Sequence, residues 1–322
     1  MSITNHFNTI IPAHMAGYRL DKALAELFPA YSRARLQQWL SEGQVLIDTM
    51  PRRRGKEKVQ GGEKVQLTAQ LEEQVSWQAQ SLPLNLLYED EAILVVNKPA
   101  GMIVHPGAGN PDETLVNALL HYAPELAQLP RAGIIHRLDK DTSGILAIAR
   151  SLPAHTHLVA QLQAHRFKRE YQAVVTGVFV AGGMIDAPIG RHPTHRTHMA
   201  VVTHGKPAVT HYRIIQRYRA HTHIRVQLET GRTHQIRVHM AYQRYPLVGD
   251  RVYGGRLHFP AGSSESLKQT LRTFPRQALH AETLGLLHPY SDQWLQWTVP
   301  LPQDMQNLLK ELEQDKIAQN AN

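Results

Sequence analysis

The sequence predicts an α+β protein of two domains, a small basic one and then a larger one with a mixed, largely antiparallel sheet. Three observations predict this. Helical and strand periodicities follow one another without the strict alternation of a doubly wound fold. A cationic module with its own apolar pattern gives way to an acidic-polar stretch that closes on Ser81-Leu82-Pro83 and reads as a linker. The 322 residues suffice for about two domains. The expected boundaries are a tail at 1–15, a first domain at 16–77, a linker at 78–86, the larger domain at 87–303 and a C-terminal helix or tail at 304–322.

In chain order, residues 1–15 are polar and without period, a tail with at most an edge strand at Thr9–Ile11. Leu20, Ala23, Leu24 and Leu27 recur at helical spacing, and Pro29 ends that helix. Ser32 is placed to cap a second helix carrying Leu36, Trp39 and Leu40, and Gly43 stops it. Val45-Leu46-Ile47 reads as a strand, and 63–69 as another that alternates Val65, Leu67 and Ala69. Between them Arg52-Arg53-Arg54-Gly55-Lys56-Glu57-Lys58 places five cations in seven positions.

The larger domain opens with strands at 84–88 and 92–97, broken by Lys98-Pro99-Ala100-Gly101, a turn that brings Lys98 and His105 to one rim. Helices are expected at 113–122 and 154–165. Strands are expected at 145–149, 168–177, 211–216, 224–228, 276–281 and 294–299. In the strand from Lys168, the residues Arg169, Tyr171, Ala173 and Val175 share one face. Gly231 permits a sharp turn into a helix along which His234 and Tyr242, like Gln235 and His239, lie within reach of each other. Met305, Leu308, Leu309 and Leu312 mark a last helix.

Composition narrows the function. Hydrophobic residues at 42% and charged residues at 19% suit a globular protein with a core. A net charge of +8, with a pI near 9.7, points to a polyanionic partner. The absence of cysteine excludes disulfides, thiol nucleophiles and Cys-based zinc sites. No signal peptide and no apolar run of about 18 residues is visible. A cytoplasmic protein without membrane attachment is expected.

The segment richest in chemistry is His136-Arg137-Leu138-Asp139-Lys140-Asp141-Thr142-Ser143-Gly144, running into the apolar strand from Ile145. A carboxylate among cations, mounted at the start of a core strand, can act as a nucleophile or stabilise a developing cation. A surface loop with an Arg-Asp ion pair is the plain alternative. His234 and His239 lack a carboxylate at metal-ligand spacing, so no metal is expected.

This segment resembles the catalytic signature of the pseudouridine synthases related to the ribosomal large-subunit synthases A and D. Asn97 to Pro106, Lys168 to Val174, Gly231 to Met240, Pro246 to Gly254 and Arg276 to Ala281 resemble further blocks of that family. The helix-helix-strand pattern with Arg33, Arg35 and the basic loop resembles an S4-type RNA-binding domain. Asp48-Thr49-Met50-Pro51 departs from that resemblance. It replaces the Asn-Gly-type turn that suits a tight hairpin and leaves the hairpin's geometry open.

The resemblance implies an isomerase that flips a uridine out of an RNA and converts it to pseudouridine without cofactor. Asp139 would act at C1′, Tyr171 would stack on the base, and Arg237 would pair with Asp139. Arg137 would enter the vacated stack, with His136 beside it and Leu247 against the target base. Arg33, Arg35, Arg52, Arg53, Arg54, Lys56 and Lys58 would contact RNA phosphates. The implied partner is large-subunit ribosomal RNA or the assembling large subunit, met by a monomer. A non-catalytic RNA-binding assembly factor is the alternative, and a carbohydrate glycosidase is disfavoured by the basic charge.

Overall fold

The structure is a computed structural model that describes residues 3–29, 31, 33–71, 77–107, 109–195, 197–255, 257 and 259–320. The chain folds as two units, residues 1–76 and 77–322.

The first unit contains β1 (Ile3–Ile10), α1 (Leu20–Leu27), α2 (Arg33–Ser41), β2 (Val45–Ile47), β3 (Met50–Pro51) and β4 (Lys64–Leu71), with sheet order β1-β4-β2-β3. The helices bury Leu20, Ala23, Leu24, Leu36, Trp39 and Leu40 against Val45, Ile47, Val65, Leu67 and Ala69. Ser32, expected as a cap, lies outside the described residues.

Two expectations change here. Residues 1–15 are not a tail, because Ile3–Ile10 pairs antiparallel with β4 along its whole length. Its Asn, His and Thr residues hide the strand period, while Phe7 packs edge-on against Phe28 and Tyr31. The hairpin left open by its Asp-Thr turn also forms, with Ile47 opposite Met50. Asp48 and Thr49 both adopt left-handed backbone, φ 48° and 69°, as a type I′ turn requires. The Asp48 carboxylate accepts the Lys64 N–H at 2.9 Å, which supports a turn built without glycine.

The second unit begins with β5 (Leu86–Glu89), β6 (Ile93–Lys98), α3 (Leu115–Tyr122), β7 (Ser143–Ala149), α4 (Leu152–Gln163) and β8 (Lys168–Thr176). It continues with β9 (Gly183–Asp186), the hairpin β10 (Ile189–Arg191) and β11 (Met199–Val201), β12 (Val209–Arg217), β13 (His221–Leu228) and α5 (Gln235–Tyr242). It ends with α6 (Glu265–Thr273), β14 (Leu279–Leu287), β15 (Trp294–Thr298) and α7 (Gln303–Asn320). The sheet order is β5-β6-β7-β14-β8-β13-β12-β9, with β15 added to β14. Only the β7–β14 pair is parallel among these described pairings. The strands β9 to β11 carry too few regularly spaced apolar residues to be read from the sequence, and sequence reading also misses helix α6, whose Leu267 and Leu271 lie one turn apart.

β7 is buried at every position, as a central strand covered on both faces must be. Its period of two divides the core. Leu146 and Ile148 join the cluster under α3, while Ile145, Ala147 and Ala149 join the one under α4. The expected shared face of β8 places Tyr171, Ala173 and Val175 in the α3 cluster. The last helix, α7, is seated through Met305, Leu308 and Leu312 against Leu267 and Leu271 of α6.

Gly144 sits where the 136–142 loop enters β7, at φ +118°, and a Cβ there would lie 2.1 Å from the Ala281 carbonyl oxygen. Only glycine admits both that backbone and that approach of β14. Gly144→Ala is expected to destabilise the larger unit by about 3 kcal/mol or more, roughly 6–12 °C in Tm for a domain of this size. Scanning calorimetry would measure the shift.

Candidate active site

The 136–142 loop is fastened from both sides through its backbone. Lys98 is 1% exposed, and its ammonium donates to the carbonyls of Pro99, Met102 and Lys140 at 2.8, 2.8 and 2.9 Å. The sequence suggests a rim position, yet Lys98 is an internal tie, because a buried ammonium must satisfy its three donors. Burial pulls Lys98 down to about 7, against the opposing attraction of Asp141 and Asp139. From the opposite side Arg276 donates to the Asp141 carbonyl at 3.0 Å and forks onto Asp304 of α7 at 2.6 and 3.0 Å. The Gln277 amide donates to Thr142 Oγ1 at 3.1 Å, and Thr142 N–H closes a turn onto the Asp139 carbonyl. The loop's conformation is therefore set by residues far from it in sequence.

This fastening aims Asp139 into a cavity of about 790 Å³. Arg237 Nη1 donates to Asp139 Oδ2 at 3.1 Å. The other edge of the same guanidinium forks onto Asp250, Nε to Oδ2 at 2.7 Å and Nη2 to Oδ1 at 2.9 Å. Asp250 also accepts the Val252 and Tyr253 N–H groups. Burial alone would raise the Asp250 pKa, but Arg237 and these N–H groups outweigh it and lower it. Sequence reading assigns Arg237 to Asp139 and misses Asp250, the partner that orients it. The signal available is an Asp between Gly249 and Arg251 in a loop already singled out.

Sequence reading sets His234 on the helix and weighs it only as a metal ligand, and so misses its place in the site. It precedes α5 in left-handed backbone, φ 57° and ψ 21°, and its Nε2 stands 3.9 Å from Asp139 Oδ1. Its Nδ1 lies 2.8 Å from the Tyr253 hydroxyl. The Arg237 guanidinium covers the Tyr253 ring at 5.0 Å.

Tyr171 lines the cavity and is 6% exposed. No described residue hydrogen-bonds its hydroxyl, although a buried phenol ordinarily finds a partner. Its pKa is raised by burial and by Asp139, while Arg169 acts in the opposite direction. Leu247 is buried behind this face and bridges to Val175. Arg137 lies exposed along the cavity. His136 also borders the cavity but its Nε2 accepts the Ala147 N–H at 3.1 Å, and burial pushes it down to about 3. Its neutral ring ties the loop to β7. His239 is turned away and bonds Thr210 and the Ala187 carbonyl. Among the described residues no cluster of three or more His, Asp or Glu is arranged to hold a metal ion.

The cations of the first unit divide by partner. Arg33 donates to the buried Asp21 at 2.9 Å, beside Arg19 at 2.8 Å. Burial would raise Asp21, but hydrogen bonds from Arg19, Arg33 and Gln37 bring it down to about 2. Arg52 meets Glu57 at 3.2 Å, and Arg35 lies 6.0 Å from the Trp39 ring. Arg53, Arg54, Lys56 and Lys58 are exposed on the 52–58 loop.

Residues 92–242 match the family described as RNA pseudouridylate synthase, and residues 19–65 match the S4 domain. The chain is 54% identical over 305 residues to ribosomal large subunit pseudouridine synthase D of Escherichia coli (strain K12), covering 95% of this chain and 94% of that protein. It is 55% identical over 299 residues to the protein of the same name from Yersinia pestis, covering 93% and 92%. Human RNA pseudouridylate synthase domain containing 4 superposes with a TM-score of 0.57 at 24% identity, covering 71% of this chain and 93% of that one, a likeness of fold.

Removing the Asp250 charge would leave Arg237 buried with one carboxylate to share. Asp250→Asn is expected to cost about 3–5 kcal/mol at neutral pH, the range for breaking one side of a buried pair. The folded-state pKa of Asp250 lies below its ordinary 3.8, so its contribution is full above 3.8 and fades as pH falls further. Urea unfolding of parent and variant at pH 7 and again near pH 3 would show a gap that narrows with acid.

Proposed function

The chain belongs to the RNA pseudouridylate synthase family, and from that premise we propose that it isomerises uridines of large-subunit ribosomal RNA, with Asp139 acting at C1′. The observation that carries the assignment of Asp139 is its carboxylate, oriented by the Arg237–Asp250 fork and opening on a cavity shared with a Tyr171 whose hydroxyl has no described partner. The substrate follows from the names of relatives that match nearly the whole chain. The same RNA within an assembling subunit, met by a monomer in the cytoplasm, is part of this reading.

The reaction breaks the N1–C1′ bond, turns the uracil and joins C5 to C1′. A stacked nucleotide must leave the helix to reach a carboxylate half-buried in a cavity. Arg137, exposed beside the cavity, suits the vacated space because its planar guanidinium stacks on bases and meets phosphate. Tyr171 offers a flat, buried surface for the extruded base. Asp139 then bonds or stabilises C1′ as nitrogen departs, as a carboxylate does in retaining glycosidases. Substrate and product are isomers, so the chemistry calls for no redox partner. The exposed cations of the 52–58 loop supply phosphate contacts, which give affinity rather than sequence choice.

Asp139→Asn is expected to abolish pseudouridine formation in a large-subunit ribosomal RNA fragment while RNA affinity stays within a few fold. Chromatographic nucleoside analysis, since the product has the substrate's mass, together with filter binding would show both. Turnover by clean Asp139→Asn protein would overturn the assignment, and binding without product by the parent chain would favour a non-catalytic assembly factor. Replacing Arg53 and Arg54 by Ala should flatten the dependence of log Kd on log salt by roughly 0.7 for each phosphate no longer neutralised on single-stranded RNA. Titrations at several salt concentrations would measure that slope.

A further inference from the structure

Resting on the isomerase reading, we propose that His234 is a further catalytic residue, whose Nε2–H hydrogen-bonds the uracil as it leaves C1′ and stabilises its developing negative charge.

Hydrogen bonding around Tyr253 selects the tautomer of His234. The Tyr253 hydroxyl accepts the Met199 N–H at 3.0 Å, and the one described acceptor within reach of its own proton is His234 Nδ1, at 2.8 Å. Assigned from this network, Nδ1 is an acceptor and the proton of the neutral ring resides on Nε2. Burial lowers the His234 pKa, Arg237 and Arg137 lower it further, and Asp139 opposes them. The ring is neutral at pH 7 and serves as a donor, not as a base.

That donor faces open space beside the carboxylate. Nε2 stands 3.9 Å from Asp139 Oδ1, too far for a hydrogen bond, and no described residue accepts from it. It lines the same cavity as Asp139 and Tyr171. A group entering between His234 and Asp139 would meet a carboxylate oxygen on one side and an N–H on the other. The backbone that creates this arrangement is costly for a residue with a Cβ, and such conformations persist where neighbours enforce them. Here Tyr253 holds the ring, and Arg237 covers Tyr253.

The chemistry asks for such a donor. When N1–C1′ breaks, the bonding pair departs with the uracil and is delocalised onto its two carbonyl oxygens. Asp139 serves the sugar side, and the base side needs a fixed donor aimed where charge develops. No proton has to leave His234. C5 then bonds C1′, the C5 proton is lost, and N1 gains one, which balances the isomerisation.

The test compares single-turnover rates of N1–C1′ cleavage, read as disappearance of the target nucleoside, on RNA carrying uridine or 5-fluorouridine, because fluorine at C5 blocks only the later proton loss. Fluorine stabilises the uracil anion, so bond cleavage in that substrate leans less on the enzyme's donor. His234→Asn keeps a side chain that tolerates left-handed backbone, but its amide N–H groups stop short of the Nε2 position. It is expected to slow uridine about 10²–10³-fold, the usual loss of one preorganised donor, with unchanged RNA Kd. The loss on 5-fluorouridine should be at least tenfold smaller. His234→Gln, which returns an N–H near the Nε2 position, should recover part of the rate. Tyr253→Phe removes the hydroxyl that holds the His234 ring and selects its tautomer, and should slow uridine more than 5-fluorouridine. Equal losses on the two substrates, or a loss confined to Kd, would overturn the proposal. Turnover by the parent chain tests the isomerase reading separately from these ratios.

Discussion

The site depends on one buried guanidinium. Arg237 is 6% exposed and holds two carboxylates at once, Asp250 through a two-bond fork and Asp139 through a single bond. Geometry makes the division unequal. The Nε–Nη2 edge matches a carboxylate bidentately and fixes the plane of the guanidinium, which leaves Nη1 pointing into the cavity. A lysine could neutralise charge here but could not join two acids with a set angle between them. Asp250 thus determines where Arg237 points, and Arg237 determines which oxygen of Asp139 remains open to a substrate.

The same economy of satisfied buried charge fixes the loop that carries Asp139. Lys98 arrives from the end of β6 and Arg276 from the segment just before β14, and each donates to one carbonyl of the loop. Arg276 is itself neutralised by Asp304 on α7, so the last helix is connected to the Asp139 loop through one side chain. These ties differ from ordinary surface ion pairs, which are screened and contribute little. Here an unmet donor would be left in a dry interior, and that penalty holds the loop in a single shape.

In the first unit the cations are not equivalent. Arg33 and Arg19 converge on Asp21, which has no solvent exposure, so part of the apparent RNA-binding charge serves the fold of the unit. Arg53, Arg54, Lys56 and Lys58, by contrast, are exposed on the 52–58 loop.

By itself the sequence determined the α+β class, the two-part organisation, the family, and the elements whose apolar spacing is dense. β7, β8, α1 and the segments flanking Asp139 were legible because short-range periodicity and contiguous motifs are local properties. Residues 3–10 and the β9–β11 region were not legible, since polar strands owe their existence to a neighbour's unpaired backbone rather than to their own pattern. Asp250, His234, Lys98 and Arg276 show the same limit at the site. Each was visible in a segment already singled out, but the partner that ties it to another part of the site lies between 13 and 135 residues away. Which charge meets which is decided only when the sheet closes and water leaves, because desolvation turns a nearby opposite charge into an obligatory partner.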